Sequence, residues 1–530
     1  MTEIYRLPVL RFRLREGAVV ESTGAPQELA APGRDFGSLL GDLLERFAGG
    51  LIIWHEECLE EILSDPDDWI DLPRHPHELL HLGFRLTPPE ILRSLQSVAC
   101  ESPFVLPSDG VPRRLTWLIS AGAGISTVAA LRLAGGLSRS YSSLPARWAD
   151  LGLRGFQRGL FAYHDERLLR APPQTALLDR WSRWDLGKLT RRHFGRTARW
   201  ALRETRWFQR HRRGPIHVPG SFPGSAKAAG SPAAEAAATV DVVIPTLDRR
   251  SLLLDVLDDL AQQTFRPERV VVVEQRPAEY PQDLGRELKD RNDPFELIYL
   301  RTETVGASRA RNLGIARTRA RYVALLDDDV RLPANFLIRM LAEARRFGAS
   351  AINARSLAPG EVPNLNPGPA RPCAGVGSER TIIERSALMR VGGFDERIEG
   401  WGEDFELGLR LHLHGYPVVE TERGYLTHLQ AAAGGFRSSD RRRELEPWAD
   451  ERLGPKPSPV ITYRWKRWMT PAMLRGAAIH YLVSSVRQHR LFPLSIALLP
   501  VIWLRWRRSL AWAEKLLEAG PALCDPDPEP

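Results

Sequence analysis

The chain has 530 residues, 43% of them hydrophobic, and a formal net charge of +8. That length exceeds one ordinary core and predicts two or three domains. The basic balance favours anionic partners: nucleotides, anionic lipid or nucleic acid. Four scattered cysteines (Cys58, Cys100, Cys373 and Cys524) give neither a disulfide framework nor metal-ligand spacing, which predicts a reducing compartment. The opening residues carry no signal-peptide pattern, and no apolar run reaches the roughly 18 residues that a spanning helix needs.

Residues 1–213 form a first region. Leu51-Ile-Ile-Trp54 reads as a strand, followed by the acids of His55-Glu-Glu57. Later come Leu131-Arg-Leu-Ala-Gly-Gly136, Leu151-Gly-Leu-Arg154, Gly159 and Tyr163-His-Asp165. The same order recurs as Leu388-Met-Arg-Val-Gly-Gly393, Leu407-Gly-Leu-Arg410, Gly415 and an extended run to His428. This predicts a degenerate internal repeat. Chance similarity in a chain rich in Leu, Arg and Gly is the competing explanation. Where the second copy has Glu403-Asp404, the first has Arg147-Trp148, so the first is expected to bind or scaffold and not to catalyse. Arg180 to Arg213 is basic and aromatic; it predicts a helix lying on a membrane surface or packed on its own domain. Residues 214–238, rich in Gly, Pro, Ala and Ser, have linker composition.

A second domain is expected over residues 239–440. Val240-Asp-Val-Val-Ile244 is a buried strand that Pro245-Thr246 ends, and Arg249 to Gln263 reads as an amphipathic helix. Arg269-Val-Val-Val-Val-Glu274 and Leu297-Ile-Tyr-Leu300 are further strands, and Val305 to Gly314 turns into a helix. Tyr322-Val-Ala-Leu-Leu326 is a short apolar strand ending in Asp327-Asp-Asp329. This order predicts an α/β domain with a mostly parallel sheet, and such sheets bind ligands at the carboxyl ends of their strands.

Each signal there has a bland alternative. The aspartates suit a hard divalent metal carrying a phosphate, or form a solvated acidic turn. Pro245 and Thr246 could meet a base or ribose, or simply stop a strand. Glu274 could accept from a nucleobase N–H, or be solvated. Arg309, Arg311 and Asn312 at a helix start suit a diphosphate, or form a solvated basic face.

Taken together, Val242-Val-Ile-Pro-Thr246, Gly306-Ala-Ser-Arg-Ala-Arg-Asn-Leu-Gly-Ile315, Leu326-Asp-Asp-Asp-Val330, Gly392-Gly-Phe-Asp395 and Trp401-Gly-Glu-Asp-Phe-Glu406 resemble the family 2 glycosyltransferases, inverting enzymes of the GT-A fold. The resemblance covers roughly residues 240–430. It implies a Rossmann-like GT-A mixed sheet, a nucleotide-sugar donor bound by Pro245, Thr246, Glu274, Arg309, Arg311, Asn312, Asp327 and Asp328, and magnesium or manganese on Asp329. Glu274 departs from the aspartate usual in the family. Glu403 and Asp404 open a helix, where acids are common for dipole reasons alone; the resemblance makes Asp404 the catalytic base, and Glu403 is expected to orient the acceptor. Trp401 either stacks on a sugar or fills core, and His428 either joins the metal or is structural.

Residues 441–530 are expected to form a basic helical region. No Asp or Glu occurs from Arg452 to Ala513, and Leu491 to Leu504 is an apolar run flanked by Trp and Arg. That predicts an interfacial anchor on anionic lipid, against a buried helix pair with a basic outer face. The expected protein is a glycosyltransferase on the inner face of the cytoplasmic membrane, acting on a glycan or lipid-linked acceptor, with no nucleic acid partner. The competing classes are a sugar-phosphate nucleotidyltransferase, which would need a Gly-rich basic loop after the first strand, and a non-catalytic nucleic-acid or lipid-surface scaffold.

Overall fold

The computed structural model describes residues 8–26, 31–106, 110–172, 179–195, 198, 200–203, 238–276, 284–399, 402–431, 446–448, 451–487 and 494–519. Trp401, most of the linker, Arg206 to Arg213 and Leu491-Phe-Pro493 lie outside these. The chain divides into two compact units, one of Met1–Ala228 with Trp468–Leu499, the other of Ala229–Arg467 with Pro500–Pro530. Both are mixed α/β structures built on a mixed sheet.

The first unit holds β1 (Val9–Arg15), β2 (Ala18–Thr23), β3 (Leu51–Glu56), β4 (Glu78–His81), β5 (Arg113–Leu115), β6 (Ala123–Thr127) and β7 (Phe161–Asp165), in the order β2-β1-β3-β6-β4-β7-β5. Leu10, Phe12 and Leu14 of β1 are buried on one face, with arginines between them. That strict alternation is a strand signal the sequence reading passed over. The helix Arg183–Phe194 buries Leu186 and Leu189, and its Asp185 accepts from the Ser143 amide at 2.6 Å. Of the two placements expected for this stretch, these residues take the packed one. The helix Pro471–Arg487 packs on the helix Pro89–Val98, and a Cβ at Gly476 would meet Ser97 O at 1.8 Å.

The second unit holds β8 (Val240–Thr246), β9 (Arg269–Gln275), β10 (Glu296–Thr302), β11 (Tyr322–Leu326), β12 (Val330–Arg331), β13 (Ala351–Leu357), β14 (Arg371–Pro372), β15 (Arg380–Glu384) and β16 (Val418–His428). The order is β10-β9-β8-β11-β15-β13-β16-β12, with β14 beside β16. The first four strands are parallel, as the sequence predicts. Beyond them the sheet is mixed, because β15 runs antiparallel to both β11 and β13. Val243, Val323 and Leu325 lie in the central core cluster with Phe394 and Leu407.

The boundary expected at residue 441 is not where the compact units divide. The helix Pro459–Trp468 and the helix Leu499–Glu518 bring Val460, Tyr463 and Ala513 into a core with Ile398 and Trp448 of the second unit. The physical reason is a buried acid: Asp395 accepts from Tyr463 Oη at 2.5 Å and from Arg467. Among the described residues, no helix is long and apolar enough to cross a membrane.

Candidate active site

The five residues of β11 are all buried, so the aspartates that follow emerge from the middle of the sheet at a strand's carboxyl end. They then part company. Asp328 turns inward, accepting from Thr246 Oγ1 at 2.8 Å and Arg249 Nη1 at 2.9 Å. Burial pushes its carboxyl up to about 6, with Arg249 and Thr246 opposing. Asp329 accepts from the Ala431 amide at 3.0 Å through Oδ2, which Arg249 Nη1 also approaches to 3.2 Å. Its Oδ1 is buried, and no hydrogen bond of good geometry reaches it. β12 pairs antiparallel with β16, setting Val330 opposite His428, and this brings His428 Nε2 to 3.3 Å from that oxygen. Burial works to raise the Asp329 carboxyl, but His428 and Arg249 hold it below the usual range. Asp329 in turn raises the His428 imidazole.

The ligand-type atoms of Asp327, Asp329 and His428 all lie within 4.8 Å of one another. Two carboxylates and an imidazole form a donor set for a divalent cation of the magnesium or manganese class. The buried, poorly satisfied Asp329 Oδ1 is the atom such a cation would complete. The residues therefore fit a metal.

Asp327 also accepts from Arg311 Nη2 at 2.8 Å through Oδ1. Arg311 is buried, and its Nη1 stands 3.8 Å from Glu403 Oε1. Burial opposes the guanidinium charge, but Asp327, Asp404 and Glu403 raise its pKa above the ordinary value. Arg311 is thus the cation that joins the aspartate strand to the Glu-Asp pair. It was expected beside Arg309 and Asn312 at a diphosphate, and the three diverge. Arg309 is exposed. Asn312 is buried and committed to Phe394, accepting from its amide at 2.8 Å and donating to its carbonyl at 2.9 Å. The start of the helix Ala307–Ile315 is already capped by Glu399, which accepts from the amides of Ser308 at 3.0 Å and Arg309 at 3.3 Å. Burial pushes the Glu399 carboxyl up to about 8.

Glu403 and Asp404 open the helix Glu403–Leu413, entered through Gly402 at φ 95°. That left-handed entry suits glycine. Arg464 stacks over Phe405 at 4.4 Å, and the Glu406–Arg410 ion pair is fully buried. These contacts fix the first turn. Asp404 Oδ1 and Glu403 Oε2 are both buried without a hydrogen-bond partner. Burial, then the Glu403 charge, push the Asp404 carboxyl up to about 7, with Arg311 and the Ser378 hydroxyl partly opposing. Burial likewise raises Glu403. A carboxylate with an unsatisfied oxygen and a pKa near neutrality is equipped to take a proton.

On the other side of the aspartates, β8 and β9 set Pro245 opposite Val273 and Thr246 opposite Glu274. Glu274 is half-buried and accepts from Tyr299 Oη at 2.5 Å. The fold therefore brings Asp327, Asp329, His428, Arg311, Glu403 and Asp404 into one constellation, and leaves Arg309 and Asn312 out. Sequence reasoning missed Arg249, Ser378 and Glu399. Arg249 lies just past Thr246 and could have been found from its place after a strand end; nothing in the sequence marks the other two.

Residues 241–397 are a domain of glycosyl transferase family 2. The chain is 30% identical over 254 residues to validoxylamine A glucosyltransferase of Streptomyces hygroscopicus subsp. limoneus, covering 39% of this chain and 55% of that protein. It is 26% identical over 254 residues to O-antigen biosynthesis protein RfbC of Myxococcus xanthus, covering 42% of this chain and 20% of that one. The chain thus spans about half the length, or less, of these curated relatives. Among solved structures, S. aureus TarS 1-349 in complex with UDP-GlcNAc aligns over 53% of this chain and 92% of that one at 15% identity, with a TM-score of 0.37. A likeness of that size carries no argument.

Proposed function

We propose that the second unit is an inverting glycosyltransferase of GT-A type, moving a sugar from a nucleoside diphosphate donor to a hydroxyl acceptor. The observation that carries this reading is the joining of two half-sites through Arg311: the cation-type cluster of Asp327, Asp329 and His428, and the near-neutral Asp404. Asp404 takes the proton of the acceptor hydroxyl through its unpartnered Oδ1. The acceptor oxygen forms a bond to the anomeric carbon as the bond to the diphosphate breaks. The diphosphate leaves with the bonding electron pair. Glu403 orients the acceptor, and its negative charge keeps Asp404 a strong enough base. Thr246 and Glu274 line the nucleoside side.

A divalent cation held by Asp329 and His428, with Asp327, would act as a Lewis acid offsetting charge on the departing diphosphate. Arg311 holds Asp327 in place.

The relatives named for glucosyl transfer and for O-antigen synthesis support a polyhydroxylated acceptor. We place the protein at an anionic membrane surface, because Arg452 to Ala513 has no acidic residue and Val501, Trp503 and Leu504 are exposed on the helix Leu499–Glu518. Flotation with anionic vesicles tests that placement, and a chain that stays with the soluble fraction would contradict it.

The test of the activity is a panel of nucleotide sugars, UDP-glucose first, with magnesium or manganese and a set of glycan acceptors. Release of nucleoside diphosphate is followed for the parent, Asp404→Asn and Asp329→Ala. Metal-dependent turnover lost in both variants is expected. Turnover unchanged in either would overturn the assignment of that residue.

A further inference from the structure

We propose that the first unit is a second copy of the fold of the second unit, with its site rebuilt as aromatic core, so that the chain has one donor site and not two. The word site rests on the function proposed above; the copying of the fold does not.

Five strands of each sheet stand in the same order, β1-β3-β6-β4-β7 in the first and β8-β11-β15-β13-β16 in the second. Their directions agree throughout. The first pair is parallel, the next two pairs are antiparallel, and the last is parallel. They also follow the same order along the chain.

The registers agree as well. β6 runs straight into the helix Val128–Ala134, and β15 into the helix Arg385–Arg390. Aligning those helix starts sets Ser126 against Ile383. Ser126 pairs with Leu79, which pairs with Ala162; Ile383 pairs with Ala351, which pairs with Val418. That route equates Ala162 with Val418. An independent route starts from Leu151-Gly-Leu-Arg154 and Leu407-Gly-Leu-Arg410 and counts forward along the chain. It equates the same two residues.

The strongest likeness is an arginine clamp. Both short helices end in two left-handed glycines, Gly135 and Gly136 at φ 83° and 64°, and Gly392 and Gly393 at φ 80° and 64°. Arg154 donates from Nε to Asp150 at 2.7 Å, from Nη1 to Ala134 O, and from Nη2 to Gly136 O at 2.8 Å. Arg410 donates from Nε to Glu406 at 2.9 Å, from Nη1 to Val391 O, and from Nη2 to Gly393 O at 2.7 Å. Chance likeness of composition does not reproduce three bonds to matching atoms.

The same alignment shows what the first copy lacks. Trp148 stands where the second has Asp404; it is fully buried and stacks on Trp54, with ring centroids 4.6 Å apart and planes 9° apart. Arg147 replaces Glu403 and pairs with Asp35 at 3.0 Å. Glu56, Glu57 and Cys58 fall at the positions of Asp327, Asp328 and Asp329. Glu56 accepts from the Gly17 amide at 2.8 Å, and Glu57 is held by Arg15. Finally, the neighbour of β1 is the antiparallel β2, where β8 has the parallel β9 that carries Glu274. Among the described residues, the first copy therefore has no parallel strand in the place of β9 and no carboxylate in the place of Asp329 or Asp404.

The test is a crystal structure of the full chain soaked with manganese and UDP, manganese being located by anomalous scattering. The expected result is a superposition of the two units in the stated register, with Arg154 on Arg410 and Trp148 on Asp404. Manganese and UDP should appear at Asp329 and His428 and not at the end of β3. Ligand at β3, or strands that superpose only in another register, would overturn the proposal. Ligand in neither unit would count against the proposed function, while the superposition would still decide the copying.

Discussion

Asp404→Asn should make the protein more stable while making it inactive. Burial and the Glu403 charge raise the Asp404 carboxyl from 3.8 to about 7. About three pKa units at about 1.4 kcal/mol each set a ceiling of about 4 kcal/mol. Sharing of that cost with Glu403 brings the expected gain to about 2–4 kcal/mol. The sign follows from proton linkage. The folded state binds more protons than the unfolded state between these two values, so stability falls as pH rises from about 4 to about 7 and then levels off. Asparagine carries no charge and escapes this cost, and its carbonyl can still accept from the Ser378 hydroxyl. Urea unfolding of parent and variant at several pH values is the assay. The difference should be small at pH 4 and full at pH 8, while turnover drops by about 10²–10⁴-fold. A difference independent of pH, or a variant less stable at pH 8, would contradict a cost of ionising buried Asp404.

Glu403→Gln removes the like charge that helps raise Asp404, so the acid limb of the kcat/KM profile should move to lower pH; an unmoved or higher limb would contradict the pairing. Arg410→Met strips the buried Glu406 of its main partner and should cost about 3–5 kcal/mol, towards the lower end because Arg467 still faces Glu406 at 3.6 Å; calorimetry of the full chain reads this. A chain ended at residue 440 exposes the core that Val460, Tyr463 and Ala513 close and leaves Asp395 without Tyr463 and Arg467, so it should not give a soluble folded protein. Recovery of that shortened chain with full activity would return the boundary to where composition placed it.

The aspartate strand was legible because local chemistry marks it. Four apolar residues after Tyr322, ending in three acids, can hardly be anything but a buried strand with its charges at the edge. The Glu-Asp pair was legible only through the resemblance, because acids are common in any first helical turn. What joins the two was not. Arg311 meets Asp327 and Glu403 only because β11 and the helix Glu403–Leu413 come together in the fold, and its sequence neighbours Arg309 and Asn312 point elsewhere. Glu399 illustrates a related failure. A helix N-terminus reads as an anion site, and here its amides are taken by a carboxyl group of the protein itself. In the tail, composition hid which cations face inward: Arg464 stacks on Phe405, and Tyr463 and Arg467 donate to Asp395. In the first unit the Gly-Gly and Leu-Gly-Leu-Arg signatures were visible, but only the bonds of Arg154 and Arg410 give them a common physical purpose.

The proposed reaction is a single displacement in which a hydroxyl, deprotonated by Asp404, attacks the anomeric carbon. The most direct measurement is the anomeric configuration of the product, read by NMR on the glycoside formed from an α-linked donor. A β-linked product is expected, formed by the parent and not by Asp404→Asn. An α-linked product would require a second displacement or a different face of attack, and would contradict it.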